Sequence, residues 1–199
     1  MARRSDHSRE EIKEMALNAA QEILDREGAK KLSARRVASE IGYTVGTLYL
    51  VFKNQLEMVL HINALTLDEM NEWLAERSAS CDSPRDCLVN LAEAYIDYAI
   101  KKQERWNLLF DTVAEGEERL PDWYEERLGR LFGQVEQVLA PLKSGHDEIE
   151  VQRAARVLWA SVHGICTLKL RHRLVLAGGQ STEEMAQMLI DNFLAGFGQ

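Results

Sequence analysis

The stretch that decides the fold is GYTVGTLYLVFKNQLEM, residues 42–58. A glycine at 42 breaks the chain. Small and short polar residues follow at Thr44, Val45, Gly46 and Thr47. Leu48 and Phe52, four apart, give one apolar face, and Lys53 stands alone before a new helix start at Asn54. An internal glycine costs about 1 kcal/mol of helix propensity relative to alanine, so Gly46 calls for a compensating role. Close approach to a phosphate backbone is one such role.

Upstream, Ser33 caps a short helix with Val37, Ala38 and Ile41 on its apolar face, and Gly42 stops it. Two short helices joined through a glycine by a three-residue turn form a helix-turn-helix pattern. Before them, Ser8-Arg9-Glu10-Glu11 is a capping box. It opens a helix with Ile12, Met15, Ala16, Ala19, Ala20, Ile23 and Leu24 in steps of three and four, ended by Gly28. Asn54 and Glu57 cap a fourth, long helix that runs to about Arg77.

The rest of the chain reads as longer helices near 84–102, 104–114, 121–140, 148–176 and 181–197. The breaks between them are SCDSP, GEERLP, PLKSGHD and AGGQS. No window alternates as a strand. The expectation is an all-α fold of about nine helices. It comprises a three-helix helix-turn-helix domain over 1–56 and a helical ligand-binding and dimerisation domain over 57–199.

An overall charge of −8 over 199 residues sits awkwardly with DNA binding, but the charge is uneven. Residues 1–56 hold ten Lys/Arg against eight Asp/Glu, a balance of +2, and the remainder carries −10. A mildly basic head on an acidic body can meet phosphates without non-specific adhesion; a solvated face would carry a similar balance. No apolar run reads as a membrane span, and MARRSDHSREE has no apolar signal core, so a cytoplasmic protein is expected. Cys81, Cys87 and Cys166 do not read as a disulfide framework; Cys81 and Cys87, six apart near a loop, suit a redox switch, but unreactive thiols are the default.

In register, Ala38, Gly42, Gly46, Thr47, Leu48, Tyr49, Phe52 and Lys53 resemble the DNA-binding segment of TetR-family transcriptional regulators. Residues 8–60 carry the resemblance. Leu50 and Val51 stand where that family often has aromatic or polar residues, and Tyr43-Thr44 replaces a commoner Val-Ser pair; these departures bear on operator sequence. The resemblance implies a homodimeric repressor on a palindromic double-stranded DNA operator, released by a small apolar or amphipathic effector. It also implies a dimer interface from the last two helices, where Met185, Met188, Leu189, Phe193 and Phe197 form a stripe. Trp159-x-x-x-His163-Gly164 further resembles the helix motif of one C-terminal subclass, the WHG type.

An α-helix fits the major groove. The candidate DNA contacts are Arg35, Thr44, Val45, Gly46, Thr47, Tyr49 and Lys53. Tyr49 and Lys53 suit phosphates; Thr44, Val45 and Thr47 serve base edges, or caps and packing. Arg35 and Arg36 open the second helix, toward the DNA backbone or as a solvated face. Arg3 and Arg4 form a basic arm for a neighbouring groove, or a disordered terminus. Candidate ligand-binding residues are Tyr95, Trp106, Phe110, Trp123, Trp159 and His163, each of which also suits an ordinary core. No catalytic, metal or cofactor motif occurs: Glu57-x-x-x-His61 stands once, without the second half that a di-metal bundle needs. The competing reading is a helical small-molecule-binding protein or enzyme whose DNA-binding head is vestigial.

Overall fold

The computed structural model describes residues 7–112, 120–142 and 147–197, without the side chains of 176 and 177. All regular structure among them is helical: α1 (Arg9–Glu27), α2 (Ala34–Glu40), α3 (Val45–Leu48), α4 (Gln55–Ser78), α5 (Pro84–Lys101), α6 (Gln103–Asp111), α7 (Asp122–Leu139), α8 (Glu148–Leu170) and α9 (Thr182–Phe197). The basic arm at Arg3 and Arg4 lies outside the described residues, as does the tail of the helix expected to reach 114. No described helix is long and apolar enough to cross a membrane.

The chain forms two compact units. One holds Met1–Thr66 and Glu104–Tyr124; the other holds Leu67–Gln103 and Glu125–Gln199. The long helices α4 and α7 each contribute to both.

In the first unit the capping box closes as expected. The Glu11 N–H donates to Ser8 Oγ at 3.2 Å, and the Ser8 N–H donates to Glu11 Oε2 at 2.6 Å. The apolar face of α1 then meets α2 and α3. Ala16, Ala20, Ile23 and Leu24 pack with Val37, Ala38, Leu48 and Phe52 in one buried cluster. Leu48 and Phe52 are 1% and 2% exposed, so they are the residues that hold α3 down. Gly42 takes φ +74°, and the Tyr43 N–H returns to the Ala38 carbonyl at 2.9 Å. This left-handed helix end turns the chain from α2 into α3, and only glycine adopts it without strain. Residues of α6 complete the unit: Arg105 Nε donates to Asp25 Oδ1 at 2.7 Å, and Glu104 Oε2 accepts the Ala29 N–H at 3.0 Å.

In the second unit α5, α8 and α9 pack on one another, with Leu91, Leu158, Val162, Ala186 and Ile190 buried. Arg85 Nη2 bonds Asp191 at 3.0 Å and joins α5 to α9. Against the expectation of a helix to 176, α8 stops at Leu170. His172 adopts φ +52°, and the Arg173 and His172 N–H groups return to the carbonyls of Leu168 and Lys169. This is the double-bonded left-handed helix end, with histidine where glycine is usual, so no breaker residue announces it. The thiols at 81 and 87 also depart from expectation. The turn after α4 brings their Cα atoms to 5.2 Å, and they are joined as a disulfide, within the span such a bond bridges.

Candidate nucleic-acid interface and ligand cavity

The head presents one continuous edge. Thr44 caps α3: its Oγ1 accepts the Thr47 N–H at 3.3 Å and lies 3.0 Å from Thr47 Oγ1. The two hydroxyls thus form a small polar rim on a one-turn helix. Gly46 lies between them and is exposed. A Cβ placed there would meet only Thr44 Oγ1, at an ordinary 3.7 Å, so nothing within the fold demands glycine. Tyr49 and Lys53 are exposed beyond the rim. Lys53 is followed by the cap of α4, where Asn54 Oδ1 accepts the Glu57 N–H at 2.8 Å and Glu57 accepts the Lys53 N–H. Val45 is half-buried and packs on the core cluster, so part of its side chain serves the fold.

The two arginines of α2 differ. Arg35 is exposed. Arg36 is held by Glu27 at 2.8 Å and by Glu40, and Arg26 joins the same carboxylates at 2.7 and 3.3 Å. Arg36 is therefore engaged within the head. Hydrogen bonds from Arg36, and then from Arg26, pull the Glu27 carboxyl down to about 2.

In the second unit a small cavity, about 40 Å³ of water-accessible space and partly open to solvent, lies among α4, α5, α7, α8 and α9. Leu74, Leu91, Leu131, Phe132 and Ile190 line it, with Tyr95 and Trp159. Tyr95 Oη lies 2.8 Å from His163 Nδ1, and the His163 ring is 5.1 Å from that of Trp159, one helical turn away. Burial lowers the His163 pKa from its ordinary value, which favours the neutral imidazole. Burial pushes the nearby Cys166 thiol up to about 12, so it stays protonated.

Two family models match the chain. The model for bacterial regulatory proteins of the tetR family covers residues 16–62. That for the tetracyclin repressor-like C-terminal domain covers 88–193, over half of the chain. The chain belongs to the TetR family. As a TetR-family protein it is a DNA-binding transcriptional regulator with a ligand-binding helical body, not an enzyme. Solved structures share its fold. A Rhodococcus sp. protein of unknown function is 21% identical, with full coverage of both chains and a TM-score of 0.74. Bacillus subtilis FadR, solved with stearoyl-CoA, is 15% identical over 92% of this chain and 98% of its own, with a TM-score of 0.65. Thermus thermophilus FadR, solved with lauroyl-CoA, is 15% identical over 92% and 94%, with a TM-score of 0.67. No curated protein matches the sequence.

The six aromatic and histidine candidates in this TetR-family body do not form one site. Tyr95 and Trp159 line the cavity and His163 backs it. Trp106 and Phe110 instead pack on each other, with centroids 4.7 Å apart, in the first unit. Trp123 stacks there on His61, centroids 4.5 Å apart with rings nearly parallel at 4°. None of those three lines the cavity; their apolar bulk goes into packing of the first unit. The cavity also uses leucines that the sequence did not single out, because a buried leucine reads alike in core and in pocket. At the head, His7 and Tyr43 were missed. They flank the same concavity as Thr44 and Thr47, and His7 Nδ1 lies 2.7 Å from Tyr43 Oη. No grouping of three or more metal-ligating side chains occurs among the described residues.

Proposed function

We propose that the chain is a cytoplasmic homodimeric repressor that binds a palindromic operator and releases it when a small effector enters the body. Residues 1–56 serve as the DNA-binding head, and 57–199 as the ligand-binding and dimerising body. The observation that carries this reading is the edge of exposed Thr44 and Gly46 and half-buried Thr47, where a glycine that the fold does not require leaves room for a DNA surface. Thr44, Val45 and Thr47 face base edges; Tyr49, Lys53 and Arg35 meet phosphates, with Gly46 permitting the approach.

The dimer forms through α8 and α9. Ile149, Val157 and Met188 are 61%, 55% and 63% exposed, and Met185, Leu189, Phe193 and Phe197 are only half-covered by their own chain. The buried face of α9 is a different one, Thr182, Ala186 and Ile190. An apolar stripe left over after the core has formed supports a second copy as its cover. Two heads then read half-sites about 34–36 Å apart or somewhat more.

The effector acts only through different affinities for DNA-competent and DNA-incompetent head spacings. The two FadR proteins of similar fold hold acyl-CoAs, which supports a ligand with an apolar chain in the cavity beside Tyr95, Trp159 and His163.

Lys53→Ala tests the interface directly. Binding weakens evenly across duplex sequences, and the salt slope falls by about one. A loss confined to one sequence, or an unchanged slope, would contradict the phosphate role.

A further inference from the structure

The cavity wall restricts which molecules it can hold. Among the described residues twelve side chains line it; ten are hydrocarbon, and the other two are Tyr95 and Trp159. No Lys, Arg, Asp or Glu is among the twelve. A carboxylate or phosphate enclosed by such a wall loses its hydration and gains no partner, which is far costlier than enclosing a neutral oxygen. The polar groups of the described lining side chains are the Trp159 indole N–H and the Tyr95 hydroxyl, which lies 2.8 Å from His163 Nδ1. The Tyr95–His163 pair can change its donor sense. With the imidazole proton on Nε2, Nδ1 accepts from the phenol. With the proton on Nδ1, the imidazole donates to the phenol oxygen, and the phenol O–H can turn to an oxygen of a ligand.

We propose that the cavity takes an uncharged, largely hydrocarbon molecule bearing one hydroxyl or carbonyl oxygen, seated against the Tyr95–His163 pair, and discriminates against anionic molecules of the same chain length. This rests on the cavity being the effector site. Trp159 lies against both the cavity and the His163 ring, so it packs on the hydrocarbon next to the oxygen. The acyl-CoAs held by the FadR proteins carry polyphosphate heads, for which the described lining residues supply no cation; Arg156, 4.9 Å over the Phe132 ring, is paired with Glu136 at 2.9 Å.

The test is an equilibrium titration of the full chain with 1-decanol, 2-decanone, decanoate and decanoyl-CoA near pH 8, read by tryptophan fluorescence. Leu91→Trp and Ala92→Leu fill the cavity to different extents, and both are checked for an unchanged helical melt. Tyr95→Phe removes the hydroxyl alone. Decanol and decanone should bind about tenfold or more tightly than decanoate and decanoyl-CoA. Tyr95→Phe should weaken the two neutral probes by about two- to tenfold, and either filling variant should abolish binding. If decanoate or decanoyl-CoA bound as tightly as decanol and the filling variants still blocked it, the uncharged class would be wrong while the effector site stood. If no probe saturated, or if binding ignored both filling variants, the cavity would not be the effector site and the proposal would fall with it. A neutral preference unaltered in Tyr95→Phe would overturn the polar seat.

Discussion

Gly46 carries more information than any other single residue. A side chain there would meet only Thr44 Oγ1, at ordinary contact distance, and the helix around it would be more stable with alanine by about 1 kcal/mol. Gly46→Ala should therefore raise the melting temperature slightly while weakening duplex binding by about tenfold, or ~1.4 kcal/mol. Paired melting and duplex titrations check this; binding that survives with the stability gain would remove the close-approach role. The exposed placement of Gly46, Tyr49 and Lys53 was readable in the sequence because the one-turn α3 and its flanks keep them at fixed short spacings. The His7–Tyr43 pair was not. It spans 36 residues and depends on how α1 enters the unit, which no local pattern reports. Arg36 was read as open to DNA or solvent, but carboxylates 9 residues before it and 4 after it hold it within the head.

Helix existence followed from capping and periodicity: Ser8 and Ser33 cap α1 and α2 as read, and the structure adds Thr44, Ser83 and Asp147 as caps of the helices that begin beside them. Helix ends were harder. Gly28 and Gly42 mark theirs, whereas α8 ends on His172 in a left-handed conformation that a histidine does not advertise. The destination of aromatic residues was harder still, since Trp106 and Trp159 look alike in sequence and only packing assigns one to core and the other to a cavity wall. His163, on α8, gives this element a pH signature. Burial lowers its pKa below the ordinary 6.5, so the charged form is disfavoured in the fold relative to the unfolded chain. The stabilisation is complete above the unfolded value and declines as pH falls from there toward the folded value. Urea midpoints from about pH 7.5 down to about 5.5 should fall less steeply in His163→Asn than in the parent chain. Identical slopes would mean that the imidazole titrates as in water.

Over the whole molecule the uneven charge reconciles an acidic chain with a DNA-binding role: the first 56 residues carry +2 and the rest −10. The body repels phosphate and leaves the head as the natural approach. The α8–α9 surface should make the molecule two-headed. Val157→Glu combined with Met188→Glu places charges on that exposed stripe and should yield a monomer in light scattering. Operator affinity should fall by about 10²–10⁴ as the second head is lost. A dimer that persists would move the interface elsewhere. The most direct measurement is selection of the full chain on a pool of random duplexes at two salt concentrations, with the enriched sequences read out. The expected result is a palindrome with half-sites about one helical turn apart or somewhat more, bound less tightly at the higher salt. No enrichment at either salt would contradict it, leaving the GYTVGTLYLVFK segment as scaffold and the body as the functional part.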